Sequence, residues 1–124
     1  MRLKLMLAAA TAAAGLVSFP AMAQEGEGQY ASDLRRMIAE TAAGACPADL
    51  MAEQLLAACQ QQLPTMSAGL SSLGAVQSIV FVKAEDTPAG RVETYAVAFA
   101  NGAVLTWGIG HKKDGKYGAA YATT

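Results

Sequence analysis

The sequence is poor in the residue types on which most metal sites and nucleophilic enzymes depend. His111 is its only histidine, and Cys46 and Cys59 are its only cysteines. A structural zinc site takes about four nitrogen or sulfur ligands, which this set does not supply. The sequence also contains no G-x-S-x-G motif, no phosphate-binding loop, no H-E-x-x-H motif and no Cys–His signature. We therefore predict no metal site, no cofactor and no catalytic nucleophile of a common type.

Charged residues are also scarce, at 15% of the chain. After Ala23, seven basic residues stand against ten acidic ones, which gives a net charge of −3 with histidine neutral. Nucleic-acid binding rests largely on neutralisation of phosphates by lysine and arginine. The weakly acidic balance therefore argues against nucleic acid as a partner. The short run of lysines at 112–116 is interpreted as a solvated turn.

The first 23 residues have the pattern of a secretory signal peptide. Arg2 and Lys4 form a basic start, residues 5–19 form a short apolar run, and residues 21–23 (Ala-Met-Ala) form a small–x–small cleavage site. We predict cleavage after Ala23. No cysteine stands directly after that site to carry a lipid, so we expect no stable membrane insertion of the mature chain. The predicted location is the periplasm or the outside of the cell.

The mature chain is short enough to form one domain, which we place at residues 30–124, after a disordered N-terminus at 24–29. Apolar residues recur at helical spacing from Tyr30, with Gly44 as a natural end. Pro47 opens a second helical segment, and the apolar arc over 49–63 predicts an amphipathic helix. Pro64 should end or bend it, and one more short helix follows at 65–73.

Four β-rich segments follow the helices and are separated by turn-forming sequences. They lie at 76–84, 91–100, 103–110 and 117–123. A run of helices followed by a run of strands is typical of an α+β fold. We predict N-terminal helices packed on one face of a four-stranded antiparallel β-meander.

The two cysteines give conflicting indications about a disulfide bond. An oxidising compartment favours a bond between Cys46 and Cys59. A continuous helix between them would hold their Cα atoms about 20 Å apart at 1.5 Å per residue, which is beyond bridging range. A bond therefore requires a break in the helix between Pro47 and Glu53, and the sequence leaves both outcomes open.

The register of the sheet follows from where the large strand residues gather. Three-residue loops, with Gly102 and Gly115 in the left-handed region, would place nearly all of them on one face. In that register Tyr95, Trp107 and Tyr121 form one cross-strand row, which is either core or the floor of a ligand pocket. The opposite face is flat and rich in alanine and glycine. Such a face fits a homodimer contact, or glycines that have no partner at all.

The same register places Arg91, His111 and Tyr117 in a row at the rim of the large-residue face, with Glu93 in the next row. A carboxylate, an imidazole, a phenol and a guanidinium at the mouth of an apolar sheet are able to carry out acid–base chemistry. The alternative is an exposed rim with ordinary ion pairs. The methionines of the helices are interpreted as core filler.

Several segments of the chain carry a resemblance to a known kind of domain. They are residues 73–81 (LGAVQSIVF), 93–102 (ETYAVAFANG), 105–107 (LTW) and 114–116 (DGK). The chain resembles small secreted α+β accessory domains found beside β-lactamase-like serine hydrolases, which look like short members of the nuclear-transport-factor-two-like (cystatin-like) cone fold. The resemblance implies a helix-wrapped curved sheet. No catalytic residue is carried over, because the inner face offers no aspartate and Glu93 is predicted near the rim.

Three functions compete on this basis. The leading one is a non-enzymatic secreted module that binds a protein partner or a small apolar ligand. The second is a small cone-fold enzyme, an isomerase or a hydrolase, that uses Glu93, His111 and Tyr117. The third is an inhibitor of a periplasmic enzyme that inserts the hairpin at 112–116. A deep apolar pocket with Glu93 inside would favour the enzyme, and a filled core with an exposed apolar patch would favour the interaction module.

Overall fold

The computed structural model describes residues 28–123, so the predicted signal peptide lies outside the described part of the chain. Two helices precede four strands: α1 (Ala31–Ala42), α2 (Glu53–Leu73), β1 (Val76–Thr87), β2 (Gly90–Phe99), β3 (Val104–Lys113) and β4 (Lys116–Thr123). The strands form one open antiparallel sheet in the order β1-β2-β3-β4. Both helices pack on the same face of this sheet, so the predicted α+β meander is confirmed.

Helix α1 packs one apolar side against the sheet. Leu34, Met37 and Ile38 recur at helical spacing and are buried. The helix ends where Gly44 adopts a φ of 99°, and the next backbone N–H donates to the carbonyl of Glu40. This is the Schellman pattern, which needs a residue without a Cβ penalty in the left-handed region. Gly44 therefore ends the helix as predicted.

Helix α2 begins at Glu53, later than the start that we predicted at Pro47. The N–H of Ala52 donates to the carbonyl of Tyr117, and the N–H of Tyr117 donates to the carbonyl of Leu50. These two bonds hold the segment beside the start of β4 in a short parallel bridge. The backbone of this segment is therefore bonded to β4 and not within a helix, and α2 begins after it, at Glu53.

Pro64 lies inside α2, although the sequence predicted that a first helix would end or bend there and a separate one would follow. A proline removes the N–H that would bond to the carbonyl of Gln60, one turn earlier. Both residues are exposed, so water can bond to that carbonyl. The helix therefore continues to Leu73 as one element.

Cys46 and Cys59 form a disulfide bond, with their Cα atoms 6.2 Å apart. The chain turns between Pro47 and Glu53 instead of forming a helix there, which is the break that a bond required. The bond fastens the segment before α2 to Cys59 on the buried side of the helix. Such a bond is consistent with an extracellular location.

Within residues 28–123, neither helix combines the length and the apolar character that crossing a membrane would require.

The β2–β3 hairpin has the predicted register. Tyr95 pairs with Trp107, and Val97 pairs with Leu105. Residues 100–102 form the three-residue loop that this pairing requires. The large side chains of both strands therefore lie on the inner face, where the helices pack.

Gly102→Val should lower the free energy of unfolding by about 1–3 kcal/mol. An added Cβ would meet no described atom within 4 Å, so the cost comes from the φ of 97°, which a β-branched residue tolerates poorly. Gly69→Ala is the matched control, because Gly69 has the same open space within α2, and it should gain about 0.5–1 kcal/mol. Chemical denaturation measures both changes, and an unchanged Gly102→Val variant would contradict the left-handed turn.

The β3–β4 hairpin differs from the prediction by one residue in its loop. Residues 114–115 (Asp-Gly) alone form the loop, and both have positive φ, at 55° and 82°. This is the two-residue type I′ turn that Asp-Gly favours. Trp107 consequently pairs with Ala122, and Tyr121 pairs with Gly108. A shift of one residue reverses the faces, so Tyr121 lies on the outer face and is 49% exposed.

His111 interrupts the β3–β4 ladder and does not pair with Tyr117 as predicted. Its φ is 56°, and Lys112 takes the position opposite Tyr117. A left-handed residue within a strand changes which face the following residues occupy. Lys112 thereby lies against Tyr117, which is fully buried on the inner face with its ring edge-on to that of Tyr30.

The outer face of the sheet is the small-residue face that the sequence predicted. Val80 and Val104 are exposed on it and pair with alanines of β2. The structure differs from the prediction at two residues: Tyr121 lies on this outer face, and Ala120 packs against the core.

Candidate functional site

Glu93 is fully buried at one end of the inner face, not at the solvated rim that the sequence predicted. Its carboxylate accepts hydrogen bonds from the backbone N–H groups of Gln29 and Tyr30 at 2.9 and 3.0 Å. It also accepts bonds from the Tyr95 hydroxyl and from Nε of Arg91, the latter at 2.8 Å. All of these donors belong to the domain itself. Glu93 therefore anchors the segment before α1, including Gln29, which we predicted to be disordered.

The environment of Glu93 keeps it ionised at neutral pH. Burial by itself raises the pKa of a carboxyl group. The bonds from Tyr95, Arg91 and the two backbone N–H groups act in the opposite direction and hold the pKa of Glu93 below its ordinary value of 4.5. A general acid or base works best with a pKa near the operating pH. The pKa of Glu93 is instead shifted away from neutral pH.

Tyr117 has a structural partner in α1. Its hydroxyl donates to a carboxylate oxygen of Asp33, and Lys112 Nζ lies 3.9 Å from the same carboxylate and 5.2 Å from the centre of the Tyr117 ring. Burial, together with the bond to Asp33, raises the pKa of the Tyr117 hydroxyl. The pKa of Tyr95 is likewise raised by burial and by its bond to Glu93. Both hydroxyls are therefore neutral: that of Tyr117 donates to α1, whereas that of Tyr95 donates to Glu93 of its own strand and accepts from the N–H of Tyr30.

The four residues of the predicted acid–base set do not all lie together in the structure. Arg91 and Glu93 are brought together as an ion pair. His111 lies instead beside Thr87, with Nε2 3.3 Å from the Thr87 hydroxyl. The row of Arg91, His111 and Tyr117 is therefore wrong, because the kink at His111 and the shorter hairpin loop separate its members.

Within residues 28–123, the histidine, cysteine, aspartate and glutamate side chains do not form a group of three that could hold a metal ion.

A cavity of about 670 Å³ lies between α2 and the inner face of the sheet. Its floor is formed by β3 and β4, its roof by α2, and one side by α1. Of the 21 residues of α2, Cys59 and Leu70 are buried, whereas Leu55, Met66 and Leu73 are half-buried and border this space. The lining residues are Leu34, Met37, Ile38, Thr41, Met51, Leu55, Ala58, Cys59, Gln62, Thr65, Met66, Gly69, Leu70, Leu73, Leu105, Trp107, Ala120, Tyr121 and Ala122.

Of the predicted aromatic row, Trp107 is the member whose side chain belongs to the cavity. Tyr95 is 1% exposed and packs edge-on to Phe81 in the core, outside the cavity lining. Tyr121 borders the cavity, but its ring lies over Gly108 on the outer face, where an added Cβ would come within 2.5 Å of it. The interpretation of a three-residue aromatic floor is therefore wrong. Trp107 lines the cavity, and its role in ligand binding stays a prediction.

Sequence reasoning missed the helical residues of the cavity. Met37 and Met51 belong to the core and Met66 packs against it, as predicted, but all three also line the cavity, which the sequence did not predict. A signal was present at Gly69, which lines the cavity and has no side chain. It leaves space over a sheet that bears small residues at Ala120 and Ala122.

The chain was compared with protein families, with curated proteins and with solved structures, and none of these comparisons gave a match. The resemblance to the cone fold therefore stays a prediction.

Proposed function

We propose that this domain is a non-enzymatic module that binds a small apolar molecule in the cavity beneath α2, in the periplasm or outside the cell. The observation that carries the proposal is the cavity, which measures about 670 Å³ and has no charged residue among the described residues that line it. Pockets for drug-sized ligands typically measure about 300–1,000 Å³ and are mostly apolar. The signal-peptide pattern and the Cys46–Cys59 bond support the location.

Helix α2 is held along its side and at its end, which keeps the cavity from collapsing. The hydroxyls of Ser67 and Ser71 donate to the same carbonyl, that of Ala42 at the end of α1, at 3.0 and 2.9 Å. At the last residue of α2, the carbonyl of Leu73 accepts a bond from the N–H of Asn101. These bonds fix α2 to α1 and to the β2–β3 loop, so the helix does not depend on side-chain packing against β3 and β4.

The contacts of Glu93 favour binding over catalysis. Glu93 does not belong to the cavity lining, and its oxygens are engaged by donors of the domain itself. A general base must come within hydrogen-bond reach of the proton that it removes. The apolar cavity and the buried carboxylate are therefore separate features, and the pocket with Glu93 inside that would favour an enzyme is not the arrangement found.

Ala58→Phe should weaken binding of the neutral fluorophore N-phenyl-1-naphthylamine at least about tenfold, which corresponds to about 1.4 kcal/mol. Ala58 lines the cavity, so a phenylalanine there occupies part of the ligand space. Ala57→Phe is the matched control, because Ala57 is the preceding residue of α2, is exposed and lies outside the lining. Fluorescence titration of the secreted, oxidised protein measures the affinities, and circular dichroism checks that both variants are folded. Equal affinities in the two variants and the parent protein would contradict the proposed site.

A further inference from the structure

The indole N–H of Trp107 has no hydrogen-bond partner. Its Nε1 atom is the one buried side-chain nitrogen or oxygen within residues 28–123 that is left unpaired. Buried polar groups in folded proteins almost always have a partner, so an exception calls for an explanation. Trp107 lines the cavity, and its Nε1 atom, itself covered by neighbouring atoms, is the unpaired donor beside that space.

The lining also restricts the charge of that ligand. The described lining residues include no lysine, arginine or histidine, and no aspartate or glutamate. An ionised carboxylate would therefore enter the cavity without a cation, and an ammonium group without an anion. Burial of an unpaired charge is costly, which favours an uncharged ligand. An indole N–H is a donor only, so its partner must be an acceptor.

We propose that the ligand is an uncharged molecule with an apolar body and a carbonyl oxygen, an ester or a ketone, and that the indole of Trp107 turns toward it so that this oxygen accepts a hydrogen bond from Nε1. The inference rests on the proposed function and names its ligand class. The apolar body contacts the methionine and leucine side chains of the cavity, and the carbonyl satisfies the unpaired donor. Trp107 thereby selects carbonyl compounds from among apolar molecules of similar size.

Competition experiments with three compounds and the Trp107→Phe variant test this assignment. Methyl octanoate supplies the carbonyl, undecane supplies an apolar body of similar size without it, and octanoate supplies an ionised carboxylate. Each compound displaces N-phenyl-1-naphthylamine from the secreted protein, so fluorescence of the dye reports affinity without use of tryptophan emission. Trp107→Phe keeps an aromatic ring at the position and removes the N–H.

We expect Trp107→Phe to weaken methyl octanoate about five- to tenfold and to change the affinity for undecane less than about twofold, since a net hydrogen bond corresponds to a factor of this size. Octanoate at neutral pH should bind the parent protein at least about tenfold more weakly than its ester. An equal loss for ester and hydrocarbon, or no loss for either, would overturn the role of Trp107 and leave cavity binding intact. Failure of the dye itself to bind would overturn the proposed function.

A second measurement on the parent protein does not depend on the variant folding. Trp107 is the only tryptophan of the chain, so one indole N–H resonance reports it in a nitrogen–proton correlation spectrum. Methyl octanoate should move this proton downfield, as formation of a hydrogen bond does, and undecane should not. An indole resonance that responds equally to both compounds would contradict the proposal.

Discussion

Replacement of Glu93 by glutamine should lower the free energy of unfolding by about 3 kcal/mol, because hydrogen bonds to a charged group contribute about 1.5–3 kcal/mol each and the fully buried side chain would lose at least one of them. The amide would lose the charge-assisted bond to Arg91, and its NH₂ group would face donors, not acceptors. Glu85→Gln is the matched control, because Glu85 is exposed and pairs with an exposed Lys83 at 3.4 Å. Exposed pairs contribute little, so this variant should change stability by less than about 1 kcal/mol.

The effect of Glu93→Gln should depend on pH in one direction. The pKa of Glu93 in the folded protein lies below its ordinary value of 4.5, so the folded state favours the ionised form. Its contribution to stability is therefore fully present above that value and is lost as the pH falls through the folded pKa. Urea denaturation between about pH 7 and about pH 3 should show the parent protein and the variant converging at low pH. A constant difference between them across this range would contradict an ionised Glu93.

Removal of the disulfide by the double substitution Cys46→Ala and Cys59→Ala should lower the free energy of unfolding by about 3 kcal/mol. The bond closes a loop with a sequence separation of 13, and it restricts the unfolded chain accordingly. In the folded state it also fixes the start of α2 over the cavity, which Cys59 lines. The double variant should therefore lose affinity for N-phenyl-1-naphthylamine as well as stability.

A reducing agent supplies the control for the disulfide prediction. It should destabilise the parent protein to the level of the double variant and leave the double variant unchanged. Equal stability of the parent protein with and without a reductant, after thiol titration has confirmed that the bond is broken, would show that the bond does not contribute.

The sheet was predictable where a local signal and the burial pattern agreed. Tyr95 and Trp107 pair as expected, because the loop at 100–102 and the large residues of both strands favour the same register. At the next hairpin the two indications disagreed. The Asp-Gly turn at 114–115 favours a two-residue loop, whereas gathering Tyr121 on the inner face required three residues. The local turn decided the outcome for Tyr121, whereas Tyr117 is buried against Tyr30 and donates to Asp33 of α1.

The position of Glu93 could not be derived from strand alternation, because it depends on a segment distant in sequence. The register correctly placed Glu93 on the inner face near one end of the sheet. That end of the sheet is buried because the chain at Gln29 and Tyr30 covers it. The backbone N–H groups of these two residues, more than 60 positions away in sequence, donate to the Glu93 carboxylate. A segment rich in glycine and glutamine gives no apolar pattern from which this contact could be predicted.

The cavity was not predictable for a related reason. Amphipathic periodicity shows which side of α2 faces inward, but not how far the helix stands from the sheet. That distance follows from the bonds of Ser67 and Ser71 to Ala42 and from the disulfide, and exposed-looking serines in a helix do not indicate such a role. Tertiary contacts of this kind override local propensity.

The central claim, that a small apolar molecule binds beneath α2, is tested most directly by methyl NMR of the secreted protein during titration with N-phenyl-1-naphthylamine. Each face of the sheet has its own methyl groups, whose signals can be followed separately. We predict that the methyl signals of Met37, Leu70 and Leu105, which line the cavity, shift and show contacts to the dye. The signals of Val80 and Val104 on the outer face should stay in place. Shifts confined to the outer-face valines, or no shifts at saturating dye, would contradict the account.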